Sequence, residues 1–265
     1  MSVALPCSVV ETVPAGELQD IHLGFASVQG WVQVLQRINL TIHPGEFVCV
    51  LGASGCGKTS LLRILAGYQK PVAGLVRING QPHTKPSPEV GVVFQSPNLF
   101  PWLTIARNVE FGPQMRGIPK LERQALVQHY LQMVGLADVA QRLPHHLSGG
   151  MRQRAAIART LAANPVLMLM DEPFAALDAL TRRSMQAHLQ KLWRQTEKTI
   201  LLITHDVEEA LLLATRIVVM GAAPGRILRD QVSPLAHTSI TEDVVLSHEF
   251  IALRQSLITT IRDAS

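Results

Sequence analysis

A glycine-rich segment at residues 52–59, GASGCGKT, constrains the fold of this chain more than any other stretch. It fits the pattern G-x-x-x-x-G-K-[ST], and the apolar run at 47–51 before it is typical of a buried strand. Residues 59–66 then have helical spacing and stop at Gly67. In such a strand, loop and helix, backbone N–H groups and a helix N-terminus face an anion. The segment therefore predicts a nucleotide-phosphate site.

Within this loop we expect Lys58 to reach the β- and γ-phosphates, and the Thr59 hydroxyl to bind Mg²⁺. The other candidates for binding the phosphates of ATP are neighbours in the same stretch: Gly52, Ala53, Ser54, Gly55, Cys56, Gly57 and Ser60. The alternative is a glycine-rich turn that fits the pattern by chance, and the flanking strand and helix argue against it.

Composition narrows the class of protein. The chain has 265 residues, 47% of them hydrophobic and 17% charged, which is typical of a globular protein with one large or two modest domains. Its net charge of +4 is spread along the sequence, and no lysine or arginine block suggests a nucleic-acid-binding arm. Three cysteines without a C-x-x-C pair indicate reduced thiols in cytosol. We predict no signal peptide in residues 1–16 and no membrane span.

Residues 21–42 alternate in polarity, which predicts two strands of an antiparallel layer around a loop containing Gly30. Phe25 and Trp31 lie in this region, before the phosphate loop. An exposed aromatic ring can stack on an adenine base, and Phe25 is our candidate for that platform, ahead of Trp31. The alternative for each ring is ordinary packing in the sheet.

Two buried runs, at 90–94 and 200–204, each deliver a polar side chain at the carboxyl end. Ligands of α/β sheets bind at that end of parallel strands. We therefore expect Gln95 to touch the metal or the attacking water, and His205 to contact the γ-phosphate. A surface glutamine and a structural histidine are the alternatives.

A third buried run at 166–170 is followed by two carboxylates, Asp171 and Glu172. Asp171 is placed to hold Mg²⁺ through water, and Glu172 to polarise the attacking water. A solvated pair of carboxylates is the alternative, and it is disfavoured after so apolar a run because buried unpaired charges are costly.

Between about residues 96 and 164 the pattern becomes helical, with predicted helices at 104–111, 121–134 and 148–163. This segment reads as a helical insertion in the nucleotide domain. It opens with a proline-bounded loop that carries Phe100 and Trp102. These rings either form local core or, if exposed, make an apolar patch for a partner.

Taken together, these features resemble the ATP-binding subunits of ABC transporters over roughly residues 20–230. Residues 147–154, LSGGMRQR, look like the signature motif of that family, with Met151 where many members have glutamine. The other family motifs occur in the family order: the phosphate loop, Gln95, Asp171 with Glu172, Asp178 of the Asp loop, and the switch histidine His205.

The resemblance implies an α/β fold: a P-loop NTPase core with a mixed sheet, an antiparallel β layer and a helical signature subdomain. The implied domain is an ABC ATP-binding domain at 18–230, with the helical subdomain at about 96–164 inserted in it. Residues 231–265 would form a C-terminal tail.

The signature has a physical account of its own. Ser148 is a good N-cap, and Gly149 and Gly150 leave backbone N–H groups bare at the start of a helix, which makes a second anion site. In the family two subunits pair head to tail, so that each signature faces the γ-phosphate held by the other subunit. By the same resemblance, Asp178 joins these residues in binding ATP.

The function implied is ATP hydrolysis that drives an ABC importer. Residues 98–102 (NLFPW), the helix through 185–193, 202–206 and 224–227 look like the nitrate/sulfonate/taurine group, with 185–193 closest to taurine and sulfonate members. The resemblance places the subunit at the cytoplasmic face of the inner membrane, as a peripheral homodimer without nucleic acid. The permease would dock near Phe100, Pro101 and Trp102, and an extracellular solute-binding protein would act indirectly.

Two other classes of protein also contain a phosphate loop. A soluble ABC-type ATPase serving translation, DNA repair or cluster assembly usually has two cassettes, a long coiled-coil insertion or a basic arm, none of which is visible. A phosphate-loop kinase or GTPase would lack the signature, and a GTPase would carry N-K-x-D, which does not occur in this sequence.

Overall fold

The computed structural model describes residues 12–27, 30–222, 224–235, 238, 240 and 242–264. Residues 1–17 carry Pro6, Pro14 and Gly16, which predicts a loose leader. Most of this leader lies outside the described ranges, and β1 already begins at Gly16. The strands are β1 Gly16–Ser27, β2 Gly30–Ile42, β3 Phe47–Gly52, β4 Ala73–Ile78, β5 Gln81–Pro82, β6 Val90–Val93, β7 Leu167–Asp171, β8 Thr199–Thr204, β9 Arg216–Gly221 and β10 Arg226–Val232. The helices are α1 Lys58–Leu65, α2 Ile105–Met115, α3 Lys120–Met133, α4 Gly149–Ala162, α5 Ala179–Thr196, α6 Val207–Leu213, α7 Glu242–Val245 and α8 His248–Asp263, with 3₁₀ turns at Ala137–Val139 and Pro144–His146.

A six-stranded sheet in the order β10-β9-β3-β8-β7-β6 forms the central layer. Its strands are parallel except β10, which runs antiparallel to β9. Every residue of β3 and β8 is buried. Parallel strands covered on both faces need apolar side chains at every position, which explains the unbroken apolar runs in the sequence.

Alternate residues of these strands feed two separate cores. Cys49, Met170 and Leu202 point to the side covered by α2 to α6 and α8. Val50 and Leu169 point to the side covered by α1 and the second sheet. Each fully buried aliphatic side chain contributes about 1.5–3 kcal/mol to folding, so both layers are held firmly against the strands.

The second sheet is antiparallel, in the order β2-β1-β4-β5. The register of β1 with β2 shifts between Leu23, which pairs with Leu35, and Gly24, which pairs with Gln33. Val34 is left opposite no residue, and its carbonyl accepts a hydrogen bond from Gly225 N at 2.8 Å. A bulge of this kind redirects the strand. Here it turns the edge of β2 toward the phosphate loop.

Helices α2, α3 and α4 lie between β6 and β7 in the chain and pack on one another. The sequence predicted the first of them to end at Phe111, but α2 continues to Met115. Gly112 lies so close to the end of α4 that a Cβ would stand 2.6 Å from the Cβ of Ala163. Pro113 is buried beside it, so tertiary packing holds the helix past a Gly-Pro pair that favours a stop.

The fold class predicted from the sequence is confirmed: an α/β core with a mixed sheet, an antiparallel sheet and intervening helices. The domain boundaries at 18, 96, 164 and 230 stay predictions. Among the residues described, no helix combines the length and apolar character needed to cross a bilayer.

Candidate active site

The phosphate loop connects the end of β3 at Gly52 to the start of α1 at Lys58. Gly55 and Gly57 have φ of 81° and 97°, in the left-handed region that favours glycine. A Cβ on Gly57 would also lie 2.5 Å from Leu35 Cδ2. The loop borders a cavity of about 470 Å³, whose lining is Val34, Ser54, Gly55, Gly57, Lys58, Thr59, Ser60, Glu172 and His205.

Two distant segments, β2 and the turn between β9 and β10, form the floor beneath the loop. Gly225, between β9 and β10, approaches so closely that a Cβ there would be 2.2 Å from the Cys56 carbonyl oxygen. Gly225 N donates to Val34 O at 2.8 Å, and Gln36 N donates to Gly225 O at 2.9 Å. Cys56 is fully buried, so it faces this floor rather than the cavity.

Lys58 is the cation of the loop, and it is 6% exposed. Its ammonium donates to Gly52 O at 2.8 Å and to Ala53 O at 2.9 Å. These two bonds satisfy a charge that would otherwise be costly to bury. They also hold the cation at the wall of the cavity, where a phosphate group would compete for it.

Asp171 ends β7, and Thr59 hydrogen-bonds its carboxylate. Burial raises the pKa of Asp171, and the neighbouring Glu172 raises it further. Arg63, Lys58 and the bond from Thr59 act in the opposite direction. A hydroxyl and a carboxylate side by side are oxygen donors of the kind Mg²⁺ prefers, so these residues fit that ion. No cluster of three or more His, Cys, Asp or Glu side chains in the described ranges offers a site for a dedicated all-protein metal centre.

Glu172 and His205 meet at the mouth of the cavity, where Glu172 Oε1 is 3.2 Å from His205 Nδ1. Glu172 has φ of 43°, in the left-handed region that a glutamate seldom adopts. Its N–H donates to Ile203 O at 3.0 Å, which ties the turn to the adjacent strand β8. The unusual backbone turns the carboxylate out of β7 toward the end of β8, where His205 follows.

Some predicted site residues do not line this cavity. Gln95 is exposed two residues beyond β6. Phe25 is 49% exposed, and alternation along β1 places it on the face opposite Gly24. Trp31 covers that other face, because a Cβ on Gly24 would lie 2.5 Å from its ring. The roles predicted for Gln95 and Phe25 stay predictions.

The signature residues line a second pocket, of about 400 Å³, that shares no residue with the first. Its lining is Ser148, Gly150, Met151, Arg154, Leu180, Thr181, Ser184, Met185 and His188. Ser148 caps α4 by accepting from Met151 N at 3.3 Å. Asp178 caps α5 by accepting from Thr181 N at 3.0 Å, and hydrogen bonds from the Thr181 side chain and backbone lower the pKa of Asp178.

Several residues that shape these pockets are not among the site residues predicted from the sequence. Val34 acts through a bulge and Gly225 through close backbone approach, and neither leaves a pattern in a single sequence. Arg63 lies one helical turn after Thr59, so helical spacing could have placed it near Asp171. Thr181 follows Asp178 by three residues, the spacing of an N-capped helix, so the sequence pattern could have predicted their contact.

A glycine-rich loop between a buried strand and a helix, with a hydroxyl, two carboxylates and a histidine gathered from neighbouring strand ends, defines a phosphate-loop nucleotide-binding domain. The sequence profile of the ABC transporter family matches residues 35–175. The chain belongs to this family, and it is an ATP-binding subunit of the ABC type.

Curated relatives cover most of the chain. The taurine import ATP-binding protein of Roseobacter denitrificans is 48% identical over 235 residues, which are 88% of each chain. The nitrate import ATP-binding protein of Synechocystis is 46% identical over 214 residues, 81% of this chain and 80% of that one.

Solved structures agree with this assignment. The ATP-binding cassette MJ0796, a dimer bound to ADP and Pi, superposes with a TM-score of 0.70 at 32% identity, over 82% of this chain and 98% of that one. CbiO1 from Clostridium perfringens, part of an ABC transporter complex, gives 0.75 at 26% identity, over 92% and 99%.

Proposed function

We propose that this chain is the ATP-hydrolysing subunit of an ABC importer for a small anion of the taurine/sulfonate or nitrate type. The observation that carries the proposal is the separation of the phosphate loop and the signature into two pockets on one chain. If both serve one ATP, the second pocket must come from another copy. Head-to-tail pairing of two copies brings each signature to the other's phosphate loop. The similar cassette that is dimeric and bound to ADP and Pi supports pairing of two copies.

The proposed chemistry assigns one role to each group. Lys58 and the loop N–H groups bind the β- and γ-phosphates, and the partner's Ser148 and Gly150 bind the γ-phosphate from the other side. Thr59, Asp171 and Gln95 would hold Mg²⁺, which neutralises phosphate charge. The nucleotide base would stack on Phe25.

In the hydrolysis step, Glu172 accepts a proton from water as the water oxygen bonds to the γ-phosphorus. The bond from that phosphorus to the β–γ bridging oxygen breaks, and the products are ADP, inorganic phosphate and the released proton. His205, 3.2 Å from Glu172, orients this carboxylate and contacts the γ-phosphate. Asp178, at the start of α5, would join the nucleotide interface of the dimer.

Permease docking is proposed at the loop that carries Phe100, Pro101 and Trp102. Trp102 is 72% exposed, a large apolar side chain in contact with solvent. Phe100 lies against Phe111, with ring centroids 4.7 Å apart, and both line a groove of about 440 Å³. A groove beside an exposed tryptophan suits a helix of a membrane partner. The subunit would then work peripherally at the cytoplasmic face of the inner membrane.

The taurine/sulfonate or nitrate assignment rests on the names of relatives, because this subunit has no contact with the solute. The test is reconstitution in proteoliposomes with the permease and the binding protein encoded beside its gene. We expect ATP-driven uptake of taurine, an alkanesulfonate or nitrate. Uptake of none of these would overturn the solute class, and ATP hydrolysis with no permease association would favour a soluble ABC-type ATPase.

Glu172→Gln tests the chemistry directly. The amide cannot accept the proton of water, so we expect turnover to fall at least about 100-fold while ATP affinity and dimer formation are kept. Glu122→Gln, at an exposed site on α3, is the matched control. Hydrolysis and nucleotide binding are measured on the same preparations, and wild-type turnover in Glu172→Gln would remove Glu172 from this role.

A further inference from the structure

Glu209 is a buried carboxylate that the proposed hydrolysis does not use. It lies on α6 and is 4% exposed. Its Oε2 accepts from Thr204 Oγ1 at 2.6 Å, and its Oε1 accepts from Gln186 Nε2 at 3.3 Å. Burying an acidic side chain is costly unless it is hydrogen-bonded or paired with a charge. The partners of Glu209 therefore show which segments this carboxylate connects.

One partner belongs to the segment that carries the switch histidine. Thr204 ends β8 and directly precedes His205. The Thr204 hydroxyl also accepts from Asp206 N at 3.0 Å. The residues on both sides of His205 are thus held by one hydroxyl, which in turn donates to Glu209. The His205 side chain is 63% exposed and contacts Glu172, so apart from that contact its direction depends on how these flanking residues are fixed.

The other partners belong to the helix that begins at the Asp loop. Gln186 is buried on α5, whose N-cap is Asp178. Arg182, one turn after that cap, donates from Nη2 to Leu177 O at 3.0 Å. The Arg182 charge also acts favourably on Glu209. Glu209 is therefore bonded to the helix that begins at the Asp loop, and it lies in the field of the cation that holds this loop.

We propose that Glu209 is a positioning residue that fixes the segment 204–206 against α5, and so keeps the switch histidine and the Asp loop of one subunit in a set relation. The inference rests on the proposed function, which gives His205 and Asp178 their roles. It adds a connection inside one chain between two segments that both serve the nucleotide.

The electrostatic surroundings agree with a carboxylate that accepts from several donors. Burial raises the pKa of Glu209, and Asp206 adds to this, while Thr204, Gln186 and Arg182 oppose it. Across the core, burial and then Glu209 raise the pKa of Cys49. A glutamine at 209 keeps the shape and one oxygen acceptor for Thr204, whereas an alanine keeps neither.

The experiment compares Glu209→Ala and Glu209→Gln in the full-length chain, with Glu208→Ala as control. Glu208 is the neighbouring carboxylate on α6, and it pairs with Arg254 near the surface. For Glu209→Ala we expect kcat to fall at least about tenfold with ATP affinity changed less than about threefold, since the phosphate loop is untouched. Glu209→Gln should stay within about threefold of wild type in both quantities, and Glu208→Ala should match wild type.

A second readout needs no turnover. Hydrogen exchange of the backbone around 204–208 should become faster in Glu209→Ala, and less so in Glu209→Gln. A wild-type chain without ATPase activity would count against the proposed function, and the exchange result would still decide this inference.

Thr204→Val removes the hydroxyl and gives an independent approach if Glu209→Ala fails to fold. It should lower kcat with ATP affinity kept, whereas Thr204→Ser should not. The inference is overturned by unchanged kcat in both Glu209→Ala and Thr204→Val. It is equally overturned if Thr204→Val loses kcat and ATP affinity only in proportion to its folded fraction, or if exchange at 204–208 does not change in a folded variant.

Discussion

Lys58 illustrates at the scale of one residue how the site is prepared for an anion. Its ammonium donates to two carbonyl oxygens of its own loop. When phosphate binds, the ammonium exchanges two neutral carbonyl acceptors for negatively charged phosphate oxygens. The binding free energy from Lys58 is the difference between these two sets of hydrogen bonds. The ammonium is an ionised donor in both cases, but a phosphate oxygen also carries a negative charge, so the attraction between opposite charges favours phosphate.

Lys58→Ala should weaken ATP binding by more than about tenfold, because no other side chain of the loop carries a positive charge. Nucleotide affinity, measured by calorimetry at a temperature where both proteins are folded, checks this. Lys120→Ala, at an exposed site on α3, is the control. Unchanged ATP affinity in Lys58→Ala would contradict the proposed role of Lys58 in binding the phosphates.

His188 should make the free energy of unfolding depend on pH, an effect that the sequence alone does not predict. Burial lowers its pKa, as do the charges of Arg154 and Lys191, and the backbone of Met133 only partly offsets them. With a folded-state pKa below the ordinary value near 6.5, the unfolded chain binds the proton first as the pH falls. The contribution of this group is therefore present above about pH 6.5 and is lost below it.

The prediction is that wild type loses more stability than His188→Gln when the pH falls from about 7.5 to about 5.5. Thermal unfolding of both proteins at each pH gives the two slopes. His129→Gln, on the exposed side of α3, should keep the wild-type slope. Equal slopes for wild type and His188→Gln would show that His188 does not cause the effect.

At the scale of elements, a buried asparagine holds the part of the aromatic loop that leads into α2. Asn108 is fully buried, accepts from Phe100 N at 2.8 Å and donates to the carbonyls of Phe100, Leu103 and Thr104 at 3.0–3.2 Å. These bonds satisfy the loop backbone without a strand or helix. An exposed ring such as Trp102 is thus presented on a fixed support.

Asn108→Ala should lower the free energy of unfolding by about 1–3 kcal/mol, because it leaves several buried backbone groups without partners. Denaturant unfolding measures this loss, and hydrogen exchange of residues 99–104 should rise in the same variant. Arg107→Ala, an exposed neighbour on α2, should change neither quantity. A loop that keeps its protection in Asn108→Ala would require another support.

The elements themselves were largely predictable, because each buried strand is an unbroken apolar run and each helix has a cap such as Ser148 or Asp178. The end of α2 was not, since only contact with Ala163 reveals why Gly112 and Pro113 stay helical. Within the site, motif spacing identified Lys58, Asp171, Glu172 and His205. The β2 bulge, the support by Asn108 and the Glu209 network depend on contacts between distant segments, which one sequence does not encode locally.

At the scale of the whole molecule, the proposed head-to-tail pairing would build each complete site from the phosphate-loop pocket of one copy and the signature pocket of the other. Lys58→Ala and Ser148→Arg each damage both sites of their own homodimer. A mixed dimer carries both lesions in one site and leaves the other intact. Since half of randomly paired dimers are mixed, mixing should restore up to about a quarter of wild-type hydrolysis.

ATPase activity of the mixture, compared with each variant alone at the same total concentration, checks this prediction. A mixture of Ser148→Arg with Glu172→Gln should behave alike, because those lesions also meet in one site. No recovery in either mixture, from variants shown to form mixed dimers, would argue against shared sites.

Gly225 stands beneath a loop encoded about 170 residues earlier, and no side chain larger than hydrogen fits between them. This close contact sets the order in which the site forms during biosynthesis. The phosphate loop between β3 and α1 is translated early. The floor beneath it is missing until the turn between β9 and β10 has been synthesised. Nucleotide capture is therefore expected to appear late on the ribosome: nascent chains ending before residue 225 should fail to retain ATP, and chains carrying the finished hairpin should hold it.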